Sequence, residues 1–399
     1  MFLIRLWSKR NRSTLERIKN QNLPINILFI IRHVSQWKYQ GIYELFSKDK
    51  DFKIQIIIAA DNKNASWKHD QELALSKFKD FKCEVIDVYG RKGNLSINPS
   101  IFSADIVFFP KPLEGKDSFS IRYFPNSLCC YVPYSTYGDN NPNMQYNRIF
   151  HNLLWRHYVA TEIHLKISKQ VNYRRSRNIR VSGYPGFDNF LFPKQIKRGK
   201  NITWPNDSRK RIIWAPHHTI ENSNIKSNHS NFLLYQEFFK TMAQKFRNDV
   251  FIAFKPHPNL RFKLYELGGW KKAKTVEYYN WWSETENTLL VEGEYEDLFL
   301  NSDALIHDSV SFMAEYLCLG KPSCYLVKNK LNLSSFLNEF GLKLLNFHTL
   351  ANDENEINHF VEKLITTSKQ TCEVPEFLRP NEITSCEYIY NDIRNSIFN

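Results

Sequence analysis

Short apolar runs alternate with amphipathic segments in the first half of the chain. The spacing of apolar positions predicts helices over residues 36–47 and 68–81. The apolar runs that predict buried strands are residues 26–31, 53–60, 83–88 and 104–109. Continuous apolar strands separated by helices are typical of parallel sheets that are covered on both faces. The first half therefore predicts an α/β domain with a parallel sheet.

The same alternation restarts after residue 210. A helix is predicted over 230–247, another follows residue 309, and a last one covers about 384–397. The predicted strands of this half are residues 211–215, 250–254, 288–291, 304–307 and 323–327. The pattern predicts a second doubly wound parallel sheet.

A polar and basic stretch, residues 194–211, separates the two halves, and Pro193 and Pro205 interrupt regular structure there. We predict an N-terminal domain over residues 1–205, which includes a basic N-terminal segment. The predicted C-terminal domain covers residues 206–383. The final helix, within residues 384–399, is predicted to cross back onto the first domain.

The N-terminal segment, residues 1–20, carries six basic side chains and only Glu16 as an acid. Phe2, Leu3, Leu6 and Trp7 fall on one face if the segment is helical. A basic amphipathic helix suits an anionic membrane surface. A helix packed on its own domain explains the pattern equally well, and the sequence leaves both interpretations open.

The charge of the whole chain is strongly positive. In 399 residues, 54 Lys and Arg against 41 Asp and Glu give a net charge of +13, which indicates an anionic partner. Residues 166–211 contain thirteen basic and two acidic residues. This stretch is either a solvated linker or a surface for a polyanionic acceptor or anionic lipid headgroups.

Cysteine usage and hydropathy bear on the cellular compartment. The seven cysteines are odd in number and show no Cys-x-x-Cys spacing, and no apolar run is long enough to span a bilayer. We therefore expect a reduced, cytoplasmic protein. The basic N-terminal segment adds the expectation that it lies peripherally on the inner face of the cytoplasmic membrane.

The strongest local signal for chemistry is the segment 303–311. A predicted strand ends at His307, and Asp308 or Ser309 can cap the following helix. A helix that begins at the carboxyl end of a parallel strand presents unpaired N–H groups, which form an anion site, and Ser309 and Ser311 add hydroxyl donors. Glu315 lies one turn further and suits a ribose hydroxyl. The alternative is a well-capped helix without a ligand.

Two further strand ends carry imidazoles. Lys255, His257 and Pro258 follow the run 250–254, and a cation with an imidazole suits a diphosphate and its departing phosphate. His217 and His218 follow the run 211–215. Three strand ends with such residues in one half predict a shared site.

At these residues the chain resembles the CDP-glycerol glycerophosphotransferase-like proteins, which include teichoic-acid polymerases. The resemblance rests on four segments in the expected order over most of residues 180–330: SGYPGFDNFL at 182–191, WAPHHTI at 214–220, KPHP at 255–258 and SDALIHDSVSFMAEYLCLGKPSCYL at 302–326. It implies a GT-B fold, in which two Rossmann-like domains face a cleft. The implied activity is transfer of a polyol phosphate, such as glycerol phosphate, from a CDP-activated donor to a hydroxyl of a surface polysaccharide or phosphopolymer.

The resemblance also implies roles for particular residues. His257 would contact the donor phosphates or protonate the departing one. The catalytic or donor-binding positions that it implies in the second domain are Lys255, His257, Pro258, Asp308, Ser309, Ser311 and Glu315, with His217 and His218 as less direct donor contacts.

The chain departs from the family in the first domain. The polymerases carry a Trp-His-Gly segment whose histidine acts as base, whereas residues 133–138 here read PYSTYG. We expect His33, after the first strand, to act as the base instead, and Tyr134 or Tyr137 to contact the acceptor. In the second domain, a serine replaces the aromatic residue after Asp308, and a valine stands at position 310.

Three other functions are compatible with parts of the sequence. His-Pro and Ser elements also occur in sialyl- and polysialyltransferases, so a CMP-sugar donor is the principal alternative. A metal-dependent phosphoesterase would use the residues His217, His218, His257, His307 and Asp308. Single-stranded nucleic acid binding would use the charge and clusters such as Tyr173-Arg174-Arg175, but no nucleic-acid module is present. We therefore expect a nucleotide-activated donor, a polyanionic or saccharide acceptor, no nucleic acid and no required metal.

Overall fold

The computed structural model describes residues 2–21, 24–59, 67–90, 101–114, 119–192, 204–220, 230–328, 333–368 and 371–399. Most of the predicted linker, residues 194–203, and the last residue of the predicted strand 53–60 lie outside the described residues. The chain forms two compact units. Unit 1 comprises Met1–Thr136, Asn141–Asp188 and Arg379–Asn399, and unit 2 comprises Tyr137–Asn140 and Asn189–Leu378.

Unit 1 contains a seven-stranded parallel sheet in the order β3-β2-β1-β4-β5-β6-β7. Its strands are β1 (Ile25–Ile31), β2 (Phe52–Ile58), β3 (Glu84–Asp87), β4 (Ile106–Phe109), β5 (Leu128–Tyr131), β6 (Arg156–Val159) and β7 (Ile179–Val181). Its helices are α1 (Phe2–Lys19), α2 (Gln40–Lys48), α3 (Trp67–Phe78), α4 (Pro142–Tyr146), α5 (Ile149–Leu153), α6 (Glu162–Val171) and α7 (Pro185–Leu191), the last of which ends in unit 2.

Unit 2 contains a six-stranded parallel sheet in the order β10-β9-β8-β11-β12-β13. Its strands are β8 (Lys210–Ala215), β9 (Val250–Phe254), β10 (Thr288–Leu290), β11 (Ala304–His307), β12 (Ser323–Leu326) and β13 (Thr349–Ala351). Its helices are α8 (Phe232–Lys245), α9 (Pro258–Glu266), α10 (Lys271–Glu284), α11 (Glu296–Asn301), α12 (Val310–Leu317), α13 (Leu333–Phe336), α14 (Glu339–Leu345) and α15 (Glu354–Thr366). The last helix, α16 (Ser385–Phe398), belongs to unit 1.

The central strands explain why the sequence shows apolar runs rather than alternation. On β1, Ile27 and Phe29 face one hydrophobic core, whereas Leu28 and Ile30 face another. Both faces of the strand are buried because successive side chains point to opposite sides of a sheet that helices cover twice. The prediction of two doubly wound parallel sheets is confirmed, and each sheet has the strand order of a Rossmann-like fold.

The boundaries differ from the predicted ones. The chain first enters unit 2 at Tyr137, and it passes into unit 2 a second time after Asp188 rather than at residue 205. Just beyond Asp188, Phe190 stacks on Phe299 within unit 2. The single helix expected over residues 36–47 is a short 3-10 turn, Val34–Gln36, followed by α2. These differences arise from contacts between residues far apart in the sequence.

Helix α1 packs on its own unit. Trp7 lies in one hydrophobic core of unit 1 and Ile18 in another, while Phe2 is 81% exposed. Among the described residues, no helix has both the length and the apolar character that a membrane span requires.

Candidate functional site

The site in unit 2 begins where β8 and β11 end side by side. Ala215, the last residue of β8, pairs in register with His307, the last residue of β11. The chain leaves these two neighbouring strands toward helices on opposite sides of the sheet, and such a switch point opens a crevice at the carboxyl edge. Residues 216–218 and 308–309 therefore enter the same region.

Asp308 joins the two loops through its buried carboxylate. Its Oδ1 accepts the backbone N–H of His217 at 2.6 Å, and its Oδ2 accepts the backbone N–H of Asn231. Burial raises the pKa of Asp308 to about 6, although these N–H donors oppose the shift. Because its oxygens already bind backbone groups, Asp308 positions the loops rather than facing a ligand directly.

Three imidazoles converge at this edge. The ring of His218 lies 4.2 Å from that of His217 and 4.0 Å from that of His257, measured between centroids. The loops after β8 and β9 run alongside each other because the N–H of His257 donates to the carbonyl of Pro216 at 3.1 Å. The structure thus brings together the histidines that the sequence placed at two separate strand ends.

His257 has a defined tautomer. It occupies the N-cap of α9, where its Nδ1 accepts the backbone N–H of Asn259 at 3.1 Å, and Pro258 is the first residue of the helix. Because Nδ1 is an acceptor, the neutral ring carries its proton on Nε2. Burial, His218 and Lys255 lower the pKa of His257 to about 3, so the ring is a neutral donor in the free protein.

Lys255 provides a buried positive charge beside these rings. The residue is only 3% exposed, and burial lowers the pKa of its ammonium group to about 8, while Glu292 and Glu296 act in the opposite direction. Its Nζ lies 5.9 Å from the ring centre of Tyr295, and it has no hydrogen bond to an acceptor among the residues described. A buried ammonium group without an acceptor is suited to an anionic ligand.

The start of α12 supplies backbone donors to the same edge. Ser309 is the N-cap residue, but its side chain does not accept a hydrogen bond from the helix. Ser311, in the first turn, is half-buried. Glu315 is buried, and the hydroxyl of Tyr295 donates to its Oε2. The predicted ribose contact therefore already has a protein partner, which the sequence did not indicate.

His307 does not join this cluster. Its ring is buried, its Nδ1 lies 3.0 Å from the carbonyl oxygen of Ser309, and it packs against Tyr325 and His348. Side chains alternate along a strand, so His307 and the following Asp308 point in different directions. Within the part of the chain that the structure describes, no group with metal-ligand geometry includes His307.

Among the described residues, one group has the geometry for a metal ion: His217, His218 and His257 each offer a ligand atom, and these atoms lie within 4.8 Å of one another. These three are part of the larger set that the sequence offered for the alternative metal-dependent phosphoesterase. Two observations favour an anion over a cation here. The Nε2 of His257 carries a proton, and ammonium groups lie close by, since Lys255 adds to burial in lowering the pKa of His257 and Lys263 adds to burial in lowering that of His218.

The segment Tyr137–Asn140 packs on unit 2 rather than on unit 1, so the expected placement of Tyr137 in the N-terminal domain is wrong. Asn338 donates from Nδ2 to the carbonyls of Tyr137 and Asp139, at 2.7 and 3.1 Å. A side chain at Gly138 would clash with Val310, the first residue of α12. The segment therefore supports the start of α12.

The corresponding edge of unit 1 carries a histidine–carboxylate pair. His33 follows β1, and its Nδ1 lies 3.2 Å from Oδ2 of Asp70 on α3. Tyr134 follows β5 and is exposed, and its carbonyl accepts the hydroxyl proton of Tyr184. Asp70 was not predicted, because nothing local to α3 marks it as a partner of His33.

The family model for CDP-Glycerol:Poly(glycerophosphate) glycerophosphotransferase matches residues 137–336, which is half of the chain. No curated protein matches this chain significantly in sequence.

Solved structures show the fold. The wall teichoic acid polymerase TagF is 14% identical with a TM-score of 0.56, and the alignment covers 99% of this chain and 95% of that one. The structure of TagF soaked with CDPG is 13% identical with a TM-score of 0.53, and the alignment covers 99% of this chain and 94% of that one. UDP-GlcNAc 2-epimerase from Neisseria meningitidis, bound to UDP-GlcNAc, is 15% identical with a TM-score of 0.53. The alignment covers 94% of this chain and 100% of the epimerase chain.

These structures and the two Rossmann-like sheets confirm the predicted GT-B fold. The matched range begins at Tyr137, where the chain first enters unit 2, and it includes the three strand ends that form the site. The predicted family is confirmed as well: the chain belongs to the CDP-glycerol:poly(glycerophosphate) glycerophosphotransferase family.

Proposed function

We propose that this protein transfers a polyol phosphate, such as glycerol phosphate, from a CDP-activated donor to a hydroxyl group of a bacterial surface polysaccharide or phosphopolymer. The observation that carries the proposal is the convergence of Lys255, His257 and the start of α12 at one sheet edge within the range that matches the family. The structure of TagF soaked with CDPG, which shares the fold, supports a CDP-linked donor.

The proposed reaction breaks the bond between the β-phosphorus of the donor and its bridging oxygen. The acceptor oxygen forms a bond to that phosphorus, and CMP leaves with the bridging oxygen. His257 donates its Nε2 proton as a hydrogen bond to the phosphate, while Lys255 and the N–H groups of α12 balance the charge that develops on it. Ser309, Ser311 and His217 or His218 hold the phosphates, and Glu315 accepts from the ribose.

We propose His33 as the base that receives the proton of the acceptor hydroxyl. The contact between Asp70 and Nδ1 supports this role, because a carboxylate that accepts the Nδ1 proton leaves Nε2 available as an acceptor and stabilises the imidazolium that forms during the reaction. Tyr134 and Tyr137 remain proposed acceptor contacts. His33→Asn is expected to abolish turnover while leaving CDP affinity unchanged.

The proposed reaction requires no metal. The positive charge that a divalent ion would supply at the phosphates comes instead from Lys255 and the first turn of α12, and neutral His257 adds a hydrogen bond. Turnover is therefore expected to persist in a chelator. Loss of turnover in the chelator, restored by zinc or manganese, would favour a metal at the three histidines.

The test of the donor class is thermal stabilisation of the purified protein by CDP, CMP, UDP and GDP. We expect CDP to raise the melting temperature most and, at about 100 times its dissociation constant, to add about 2.7 kcal/mol of stability. Equal stabilisation by all diphosphates would contradict cytidine recognition. Release of CMP from CDP-glycerol in the presence of a phosphopolymer acceptor then tests the transfer itself.

A nucleotide-sugar glycosyltransferase is the second candidate. A UDP-GlcNAc 2-epimerase bound to UDP-GlcNAc shares this fold, and the backbone N–H groups at the start of a helix do not distinguish one nucleotide diphosphate from another. A CMP-sugar donor of the sialyltransferase kind would give stabilisation by CMP rather than CDP. Transfer of a sugar without phosphate to the acceptor would establish this alternative.

We place the reaction at the cytoplasmic face of the membrane, where a growing surface polymer is assembled. The net charge of +13 supports this proposal, since both a phosphopolymer and the inner leaflet are anionic.

A further inference from the structure

Two turns of unit 1 form one continuous surface. The side-chain amide of Asn172 donates to the carbonyl of Tyr146 at 2.7 Å, and the N–H of Tyr173 donates to Oδ1 of Asn147 at 3.2 Å. These bonds hold the connection between α6 and β7 against the connection between α4 and α5. We call the exposed side chains of residues 144–149 and 169–177 the basic turn surface.

The basic turn surface is an ordered structure. Oδ1 of Asn172, which is itself buried, accepts the N–H groups of Arg174 at 2.9 Å and Ser176 at 3.3 Å. Arg175 and Ser176 adopt positive φ angles of 51° and 60°. Arg174 turns inward and donates to the carbonyl of Leu154 at 2.7 Å. This part of the basic stretch is therefore a fixed turn and not the solvated linker that the sequence also allowed.

The chemistry of this surface combines cations with large apolar side chains. Lys169, Arg175 and Arg177 are exposed, whereas Arg148 pairs with Glu114, and Arg156 and Arg180 pair with Asp392. On the same two turns, Tyr173 is 64% exposed and Met144 is 51% exposed. Ile149, the first residue of α5, is exposed as well. Neither property alone identifies a partner, but their combination does.

We propose that the basic turn surface docks the protein on an anionic lipid bilayer. The arginines and lysine would meet the headgroup phosphates, while Tyr173 and Met144 insert at the boundary of the acyl chains. A soluble polyanion offers partners for the cations but none for the apolar side chains. The proposal names the surface that would hold the protein at the membrane, so it rests on the membrane placement proposed above. It does not depend on the identity of the nucleotide-activated donor.

Helix α1 is a weaker candidate for the same role. Its apolar residues Trp7 and Ile18 are buried in the cores of unit 1, which leaves Phe2 as its strongly exposed apolar side chain. Its basic side chains can add attraction at long range, but the helix lacks the apolar area for insertion.

The experiment measures binding of the full-length protein to vesicles of phosphatidylcholine, with and without phosphatidylglycerol. The variant Arg175→Gln/Arg177→Gln is expected to bind the anionic vesicles about 30-fold more weakly, because each lost cation near the surface contributes about a fivefold change. Tyr173→Ser/Met144→Ser is expected to lose the binding that persists at high salt, where charge is screened. The matched control Lys53→Gln/Lys272→Gln removes two exposed lysines elsewhere and is expected to bind like the parent.

Unchanged vesicle binding by the arginine variant would overturn the proposal. The proposal would also be overturned if the α1 variant Arg5→Gln/Lys9→Gln lost vesicle binding while the arginine variant kept it. A variant that keeps vesicle binding but loses binding to soluble poly(glycerol phosphate) would assign the surface to the polymer instead. Stabilisation by CDP, measured on the same proteins, is expected to stay unchanged, so a failure of the donor assignment is distinguishable from a failure of this one.

Discussion

At the scale of single residues, His257 combines a structural and a chemical role in one ring. Its Nδ1 caps α9, and this bond leaves the proton on Nε2, which is the atom available to a phosphate. The two roles are separable, because asparagine also caps helices well but has no ring nitrogen at the position of Nε2.

His257→Asn is therefore expected to keep the stability of the parent and to lower turnover by about 100-fold or more, the range for loss of a positioned proton donor. His257→Ala should lose the same activity and also about 1 kcal/mol of stability, since the cap is removed. The measurements are steady-state CMP release and thermal unfolding. Normal turnover in the asparagine variant would remove the imidazole from the mechanism.

Lys255 predicts a pH dependence of nucleotide binding. Its lowered pKa of about 8 means that the amine loses its charge as the pH rises through this value. A bound diphosphate favours the charged amine, so binding above pH 8 requires uptake of a proton, and CDP affinity should fall by up to about tenfold per pH unit. Below this pH the amine is charged and the affinity is expected to be flat.

The substitution Lys255→Arg retains a charge at all accessible pH values, so the decline above pH 8 should disappear in this variant. Lys255→Met should bind weakly at every pH. Calorimetric titration with CDP between pH 6 and 10 distinguishes these cases, and an identical decline in Lys255→Met would assign the titration to another group.

At the scale of elements, Asp308 couples two connections that leave neighbouring strands. Its carboxylate accepts the backbone N–H of His217, at the start of the loop after β8, and the backbone N–H of Asn231, just before α8. The loop that carries His217 and the start of α12 therefore keep their relative positions through one buried side chain.

Asp308→Asn should destabilise unit 2 by about 2–3 kcal/mol, because two charge-assisted hydrogen bonds are weakened in the interior, and CDP affinity should fall as well. Asp303 offers a matched control: its Oδ2 accepts the N–H of Arg211 at 2.8 Å, but at the amino end of β11. Asp303→Asn is expected to cost stability without changing CDP affinity. Equal effects on affinity would show that Asp308 acts only through stability.

Three of the strands that the sequence did not predict are short or lack an apolar run. β7 and β13 have three residues each, Ile179–Val181 and Thr349–Ala351. β6, Arg156–Val159, begins with an arginine and a histidine. Such strands form because a neighbouring strand supplies hydrogen bonds along its length, and this information is not local.

At the scale of the whole molecule, the chain returns to its first unit at the end. Asp392 on α16 accepts from Nε of Arg156 and from the hydroxyl of Tyr158, each at 2.8 Å. Arg180 approaches the same carboxylate at 3.7 Å. Asp188 accepts the first N–H groups of α16, those of Ser385 and Cys386. Polar partners from both ends of the sheet thus fix the helix.

Asp392→Asn is expected to destabilise unit 1 by about 3 kcal/mol, because two arginines lose a partly buried counter-charge. The exposed neighbour Asn391 provides the control, since Asn391→Ala should be nearly neutral. Chemical denaturation measures both. CDP affinity in unit 2 should not change, and a loss of affinity in Asp392→Asn would contradict this assignment of the helix to unit 1 alone.

The sequence by itself determined the two parallel sheets, the strand ends that carry His217, His257 and Asp308, and the family. Apolar runs and short segments suffice for these, because they depend on burial of individual strands and on residues adjacent in the chain. Only the tertiary structure decided that the ring of His218 lies against those of His217 and His257, that Tyr295 binds Glu315 and that Tyr137 belongs to the second unit. These features depend on the packing of residues that are far apart in sequence, and no local pattern encodes such distances.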